Sequence, residues 1–323
     1  MEVRDVIAPV QGELKEFDRY FKDAIKSDIG LVDTVVRYIV KRKGKRIRPA
    51  LVLLSAGACG GIVDASYRGA ALVELLHTAT LVHDDVVDEA PTRRGMASIN
   101  AVWKNKVAVL MGDFILARGL LLSLDNGDVD MLNITSRAVQ RMSEGEILQI
   151  QRARRLKNDE ETYFRIIRDK TASLLSACCE IGAVSATEDP EVRANLRDYG
   201  EHLGIAFQIQ DDVLDYAGIE SNTGKPIGGD AKEKKMTLPL IYAFGAAPSG
   251  ESKRIMRLLK KGVDGENLKE VVAFVHEHGG IENAQKKAKE YQQLALSNIA
   301  ALPDSDYKRS LTGFTDFVIN RSK

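Results

Sequence analysis

Apolar residues recur along almost the whole of this 323-residue chain at the 3.6-residue period of a helix, and hardly anywhere in the alternation of a strand. That regularity sets the fold class, because a chain whose hydrophobic faces are helical stripes must bury them helix against helix. Only eight prolines interrupt it, and most glycines fall at segment ends. Helices are expected over 13–26, 31–43, 50–59, 64–83, 98–123, 129–155, 159–186, 190–216, 235–246, 251–261, 266–277, 281–300 and 304–321. No Ser/Gly-rich or Pro-rich linker divides them. The expected architecture is all-α, a helical bundle around a central cavity, in a single domain over residues 1–323.

Within that pattern one stretch is chemically odd. His83-Asp84-Asp85-Val86-Val87-Asp88 ends an apolar helical run, and Asp84 and Asp88, four residues apart, stack on one face with His77 two turns back. Stacked carboxylates repel unless they are well solvated or share a cation, and one or two carboxylates are what Mg²⁺ takes when phosphate completes its shell. A chain of this Asp content is expected to hold about a tenth of a copy of Asp-Asp-x-x-Asp by chance. Asp211-Asp212-Val213-Leu214-Asp215 repeats the pattern after a second apolar run. Two copies by chance would be a coincidence on the order of one in a hundred. The pair reads as two acidic walls across a cavity, with Mg²⁺ ions bridging them to a polyphosphate.

Composition narrows the partners. At 44% hydrophobic and 28% charged the chain can build a full core, and its formal net charge of zero gives no global field toward nucleic acid or an anionic membrane. Anion binding must therefore come from local clusters. Cys59, Cys178 and Cys179 show no metal or disulfide spacing and read as small buried apolar residues. Met1 to Gln11 carries early acids and no apolar core, so no signal peptide is expected and the reading is cytoplasmic. The stretch Val107 to Leu124 holds Asp113 and Arg118 near its middle. Each costs about 2.5–3.5 kcal/mol in a bilayer, which argues against a transmembrane segment. Being apolar nearly all round, this helix should be covered on every side, by the core or by a second copy in a homodimer.

The basic residues are clustered too. Lys41 to Pro49 holds six cations around Gly44, which either complement helix ends or converge on a dianion. Arg93-Arg94 follows the first acidic cluster, where phosphates would need neutralising. Lys170-Thr171 lies within a helix, and Arg152, Arg154 and Arg155 read as a solvated face. Gln208 lies three residues before Asp211 and shares the face of the second cluster. Gly218 to Thr237, with Lys225, Gly228-Gly229-Asp230 and Lys232 to Lys235, is the best lid candidate. The tail beyond Ser249 offers amphipathic helices and no chemistry; His276 and His278, two apart, face different directions on a helix.

Gly44-Lys45-Arg46-Ile47-Arg48-Pro49, the helix with His77, Asp84 to Asp88 with Arg93-Arg94, Lys170-Thr171, Gln208 to Asp215, Lys225, and Asp230 to Lys235 before Thr237-Leu238-Pro239 occur in one order over essentially the whole chain. In these motifs the sequence resembles the trans-isoprenyl diphosphate synthases of the long-chain, octaprenyl-forming type. The resemblance implies antiparallel helices around a deep cavity, normally in a homodimer, and head-to-tail condensation of isopentenyl diphosphate onto an allylic diphosphate such as farnesyl diphosphate. It further implies that Lys45, Arg48, His77 and Arg94 hold isopentenyl diphosphate. The allylic diphosphate would sit on Mg²⁺ bound by Asp84, Asp88 and Asp211, with Asp85 and Asp215 in support. Arg93, Lys170, Lys225 and Lys235 would neutralise phosphate, and Thr171 and Gln208 would lie beside the allylic carbon.

These roles agree with the chemistry. Breaking an allylic C–O bond places negative charge on the leaving diphosphate, so cations set there in advance stabilise the transition state. A terpene cyclase would share the first cluster, but typically carries Asn, Ser or Thr, and Glu in place of a second Asp-Asp-x-x-Asp. A non-catalytic partner subunit usually has eroded clusters. The resemblance places the first chain-length gate at Ala79 and Thr80, with Leu76, Leu75 and Leu72 behind, and none is aromatic. The expected product is therefore well beyond C20, near C40, rather than that of a short-chain farnesyl or geranylgeranyl diphosphate synthase.

Overall fold

A computed structural model of the protein describes residues 2–41, 44–93, 95–153, 156, 159–217 and 228–321. The chain is helical where the apolar period placed helices. Among the longer elements are Gln11–Ala24, Gly30–Lys41, Ile47–Cys59, Asp64–Val87, Ile99–Asp125, Val129–Ala153, Pro190–Ala217, Ser249–Lys261, Gly280–Asn298 and Asp306–Asn320. The segment expected as one helix over 159–186 is Glu160–Ile167, a π turn at Arg168–Ala172, and Ser173–Ala186. The one sheet among the described residues is a hairpin of Thr92–Arg93 with Met96–Ala97, turned at Gly95 with φ of +75°.

Two compact units emerge. The first comprises Met1–Ser136, Ala177–Leu196 and Leu302–Leu311; the second Arg137–Ser176, Arg197–Ala301 and Thr312–Lys323. In the first unit, Leu75, Ala79 and Val82 of Asp64–Val87 pack with Val35, Ile99, Ala108, Met111 and Ile115. Burial of each large side chain there contributes about 1.5–3 kcal/mol. Gly112 lets Asp64–Val87 and Ile99–Asp125 touch, since a Cβ at that position would lie 2.1 Å from His83 Nε2. Asp64–Val87 starts with Asp64 in its first turn, suited to the helix dipole, and stops at Asp88, three residues short of Pro91.

Ile99–Asp125 is long and apolar enough to cross a membrane by length and composition, and 33% of its most apolar window is buried. Covering on every side by the core is therefore not what the fold provides: Val102, Val109, Leu110, Leu121 and Leu124 are exposed. One stripe of the helix faces the first aspartate helix, and among the described residues of the unit these five side chains stay uncovered.

The second unit has its own core. Ile205, Ile209, Val213 and Tyr216 of Pro190–Ala217 pack with Leu238, Leu240, Ile255, Leu259, Val271 and Phe274 from the helices that follow.

Candidate active site

Each aspartate cluster lies in its own unit. The three acids of the first separate by burial as the helix turns. Asp84 and Asp88 are exposed, one turn apart, and the Asp88 N–H donates to the Asp84 carbonyl at 2.8 Å. Asp85, 2% exposed, accepts from Arg93 Nε at 2.5 Å, so the hairpin behind the cluster is tied to it by a guanidinium. Asn100 Nδ2 donates to the Asp85 carbonyl at 3.1 Å.

Asp85, Arg93 and buried His77 line a cavity of about 130 Å³ with Phe17, Phe21, Val40, Val82, Gly44 and Arg46. The basic motif reaches this wall through Arg46, which the sequence reading passed over. Arg46 caps Ile47–Cys59 in the left-handed region, φ +53°, and pairs with Asp18 at 2.6 Å. Lys45 is exposed and Arg48 half-buried; Arg94 lies outside the described residues. Of the chain-length positions, Leu76 and Ala79 are buried, and half-buried Thr80 donates through Oγ1 to the His77 carbonyl at 2.9 Å.

In the second unit a cavity of about 100 Å³ gathers Lys170, Thr171, Gln208, Asp212, Asp230 and Lys235. The π turn presents Lys170 and Thr171; such widened turns are frequent at functional sites. It packs closely on two glycines, where a Cβ on Gly145 would meet Lys170 N at 2.7 Å and one on Gly204 would meet Ala172 Cα at 2.5 Å. Thr171 Oγ1 donates to Gln208 Oε1 at 2.9 Å, and Gln208 Nε2 donates to Asp212 Oδ1 at 2.8 Å. Gln208 thus engages Asp212, four residues on, rather than Asp211 or Asp215. Tyr163 OH donates to the other Asp212 oxygen at 2.7 Å. Burial, then the neighbouring Asp230 carboxylate, pushes Asp212 up to about 8; the same causes push Asp215 up to about 6.

Asp215 is also held by backbone: the Asp230 N–H donates to its Oδ2 at 3.1 Å, and Gly228 N–H to its carbonyl at 2.9 Å. This fixes the near end of the lid candidate as a short helix, Gly229–Lys232. Residues 218–227, Lys225 among them, lie outside the described residues. Lys170 pairs with Glu146 at 2.5 Å and Lys235 with Glu233 at 2.5 Å. Asp211 pairs with Arg321, whose guanidinium lies 3.9 Å over the Phe207 ring and donates to the Phe207 carbonyl at 2.8 Å. Asp211 is thus neutralised by a buried cation, and within each unit, Asp84 and Asp88 in one and Asp211 and Asp215 in the other, the carboxylates are hard oxygen donors of the kind a divalent metal takes.

The comparisons agree with this chemistry. The profile described as Polyprenyl synthetase matches residues 30–275. The chain belongs to the polyprenyl synthetase family. It is a trans-prenyl diphosphate synthase, a prenyltransferase with an all-α fold. This synthase is 39% identical over 319 residues to an all-trans-nonaprenyl-diphosphate synthase (geranyl-diphosphate specific) of Rhodobacter capsulatus, covering 98% of each chain. It is 36% identical over 301 residues to the octaprenyl diphosphate synthase of Escherichia coli, covering 93% of each. A solved polyprenyl synthase from Caulobacter crescentus, complexed with calcium and isoprenyl diphosphate, superposes with a TM-score of 0.90 at 33% identity, over 100% of this chain and 98% of that one.

Sequence reasoning missed Arg321, Tyr163, Glu146 and the Asp18–Arg46 pair. Arg321 stands far along the chain from its partner, and no local spacing signals it. The signal for Tyr163 was available: a second consecutive aspartate on a helix points away from the first, into the core, and needs a buried donor.

Proposed function

We propose that the synthase makes a long-chain trans-polyprenyl diphosphate, near C40, by head-to-tail addition of isopentenyl diphosphate to a geranyl or farnesyl primer. The observation carrying this reading is that side chains far apart in sequence gather into one cavity in each unit. The first joins His77, Asp85 and Arg93 to an apolar wall; the second joins Lys170, Thr171, Gln208 and Lys235.

In this reading Lys45, Arg48, His77 and Arg94 hold isopentenyl diphosphate. Asp84 and Asp88 in one unit, with Asp85 in support, and Asp211 and Asp215 in the other would hold Mg²⁺. When bound, the metal supplies charge neutralisation for the leaving diphosphate. Arg93, Lys170, Lys225 and Lys235 bind phosphate oxygens, and Arg93 is pre-oriented for it by buried Asp85. Thr171 and Gln208 are locked to each other and to Asp212, so their oxygens lie in fixed positions where positive charge would develop. Apolar walls at Phe17, Phe21 and Val82 would help to keep water from a carbocation formed beside them. We further infer a cytoplasmic homodimer, with Leu110 and Leu121 at the contact, because five large apolar side chains on Ile99–Asp125 are exposed.

One observation favours a shorter product. Ala79 is enclosed with Leu75, Val82, Met111 and Ile115, so the face taken as the first gate is packed. Purified protein with Mg²⁺, labelled isopentenyl diphosphate and each primer should yield products of about C40, and a main product at C15–C20 would transfer the reading to a short-chain synthase. Folded protein giving no elongation with any primer would instead favour a partner subunit. Light scattering should give twice the chain mass, and Leu110→Asp/Leu121→Asp a monomer; an active wild-type monomer at micromolar concentration would refute the dimer.

A further inference from the structure

Away from these cavities the second unit carries an open groove of about 580 Å³ whose chemistry nothing above uses. Its floor includes Met236, Phe244 and Met256, and its rim is Lys253, Arg257 and Lys260. The three cations fall at i, i+4 and i+7 of Ser249–Lys261 and share one exposed face, while Ile255 and Leu259 bury the opposite stripe. That helix has five cations, Lys253, Arg254, Arg257, Lys260 and Lys261, against one acid, Glu251. Glu251 does not face the rim charges: it lies 3.1 Å from His278 and 3.9 Å from Arg254. Among the described residues none of Lys253, Arg257 and Lys260 is ion-paired. Lys234 Nζ donates to the Lys260 carbonyl at 3.2 Å and brings another cation to the groove's end.

A basic rim over a thioether and aromatic floor is complementary to an amphiphile with an anionic head and apolar chains. A hydrophilic polyanion would leave the floor unused, and a neutral peptide would leave the rim charges unpaired. The groove also adjoins the chemistry. Met236, 6% exposed, lines both it and the cavity that holds Lys170 and Lys235, so one side chain is common to the two walls.

We propose that this groove is a docking face for an anionic phospholipid bilayer, with Lys253, Arg257 and Lys260 on headgroup phosphates and Phe244 and Met256 at the acyl boundary. Its use, release of a long apolar product beside the phase that dissolves it, rests on the long-chain reading; the binding itself does not. The zero net charge of the chain is no obstacle, because attraction to a surface decays within a Debye length and is set by the charges nearest it.

The test is flotation of the full chain, without substrate, on phosphatidylglycerol vesicles and on pure phosphatidylcholine vesicles. Binding is expected to phosphatidylglycerol alone and to be released by high salt. Each basic residue near such a surface contributes about fivefold in partitioning, so Lys253→Gln/Arg257→Gln/Lys260→Gln should bind about a hundredfold more weakly while retaining wild-type condensation in detergent. The proposal is overturned if the protein fails to float, floats equally on phosphatidylcholine, or floats unchanged with the triple variant. A changed molar mass of that variant would also overturn it, by showing that a second copy covers the groove. Because no substrate is present, failure here leaves the product-length reading to its own assay.

Discussion

The closest backbone approach in the second cavity gives a quantitative prediction. A Cβ on Gly204 would stand 2.5 Å from Ala172 Cα and 2.8 Å from Ala172 Cβ, neither of which can rotate away. Restoring ordinary carbon contact at about 3.5 Å requires Pro190–Ala217 and the π turn to part by about 1 Å. The Thr171–Gln208 bond of 2.9 Å then stretches to about 3.9 Å and ceases to be a hydrogen bond. Overpacking costs about 1–3 kcal/mol and the lost bond about 1 kcal/mol, offset by about 1 kcal/mol gained on replacing a helical glycine. Gly204→Ala should therefore be destabilised by about 1–3 kcal/mol, and a misplacement of about 1 Å beside the allylic carbon lowers turnover about a hundredfold. Gly245→Ala is the control, exposed on Leu238–Ala246 with no atom within 4 Å, and should gain about 0.5–1 kcal/mol at full activity. Urea unfolding and steady-state kinetics read both. If Gly204→Ala behaved like Gly245→Ala, the π turn would not be what positions Thr171.

Asp84→Ala should leave the protein folded by circular dichroism yet lower turnover by about a thousandfold or more, and Asp211→Ala should lower turnover equally while also losing stability, because it leaves the buried Arg321 guanidinium unpaired; retained specific activity in either variant would contradict the metal assignment. Arg93→Ala should lose about 1–3 kcal/mol of stability, because it leaves the buried Asp85 carboxylate without its guanidinium, and an unfolding midpoint equal to that of Asp84→Ala would argue against this split of roles. Ala79→Tyr must push a ring between Asp64–Val87 and Ile99–Asp125 and should shorten the main product to about C15–C20, one isoprene unit matching roughly one helical turn. Chromatography of dephosphorylated products showing unchanged length in an active variant would place the tunnel on another face.

The helices and the acidic motifs were legible because both are written in local spacing. The apolar period over 64–83 becomes Asp64–Val87, and a carboxylate every fourth residue becomes a ladder, with no knowledge of the rest of the chain. What stayed hidden depends on pairings distant in sequence or on departures from helical geometry. Gly145 and Gly204 lie inside helices and carry no local signal; only the π turn packed against them shows why they are glycine. His278, judged by helical directions to face away from other ligands, caps Gly265–Glu277 instead and reaches Glu251 at 3.1 Å. Of the two coverings expected for Ile99–Asp125, the one by the chain's own core is not what the fold provides, for a related reason: periodicity says that a face is apolar, not how much of it one chain can cover.

The charge pairs around the two clusters fall into two kinds, and the difference bears on which groups can move. Lys170–Glu146 and Lys235–Glu233 join side chains that are each about a third exposed or more. Such pairs are worth about 0–1 kcal/mol, so either lysine can leave its carboxylate for a phosphate at small cost. Arg93–Asp85 and Arg321–Asp211 each include one partner that is almost fully buried, Asp85 at 3% and Arg321 at 8% side-chain exposure. Removing the partner would strand a desolvated charge, so these two pairs hold their geometry. The division follows the residue types, since a flexible ammonium suits a transferable contact and a planar guanidinium a fixed one. In each unit the arginine pair anchors the frame, whereas in the second unit two lysines are left free to move, as the proposed reaction would require of cations that follow charge onto a leaving group.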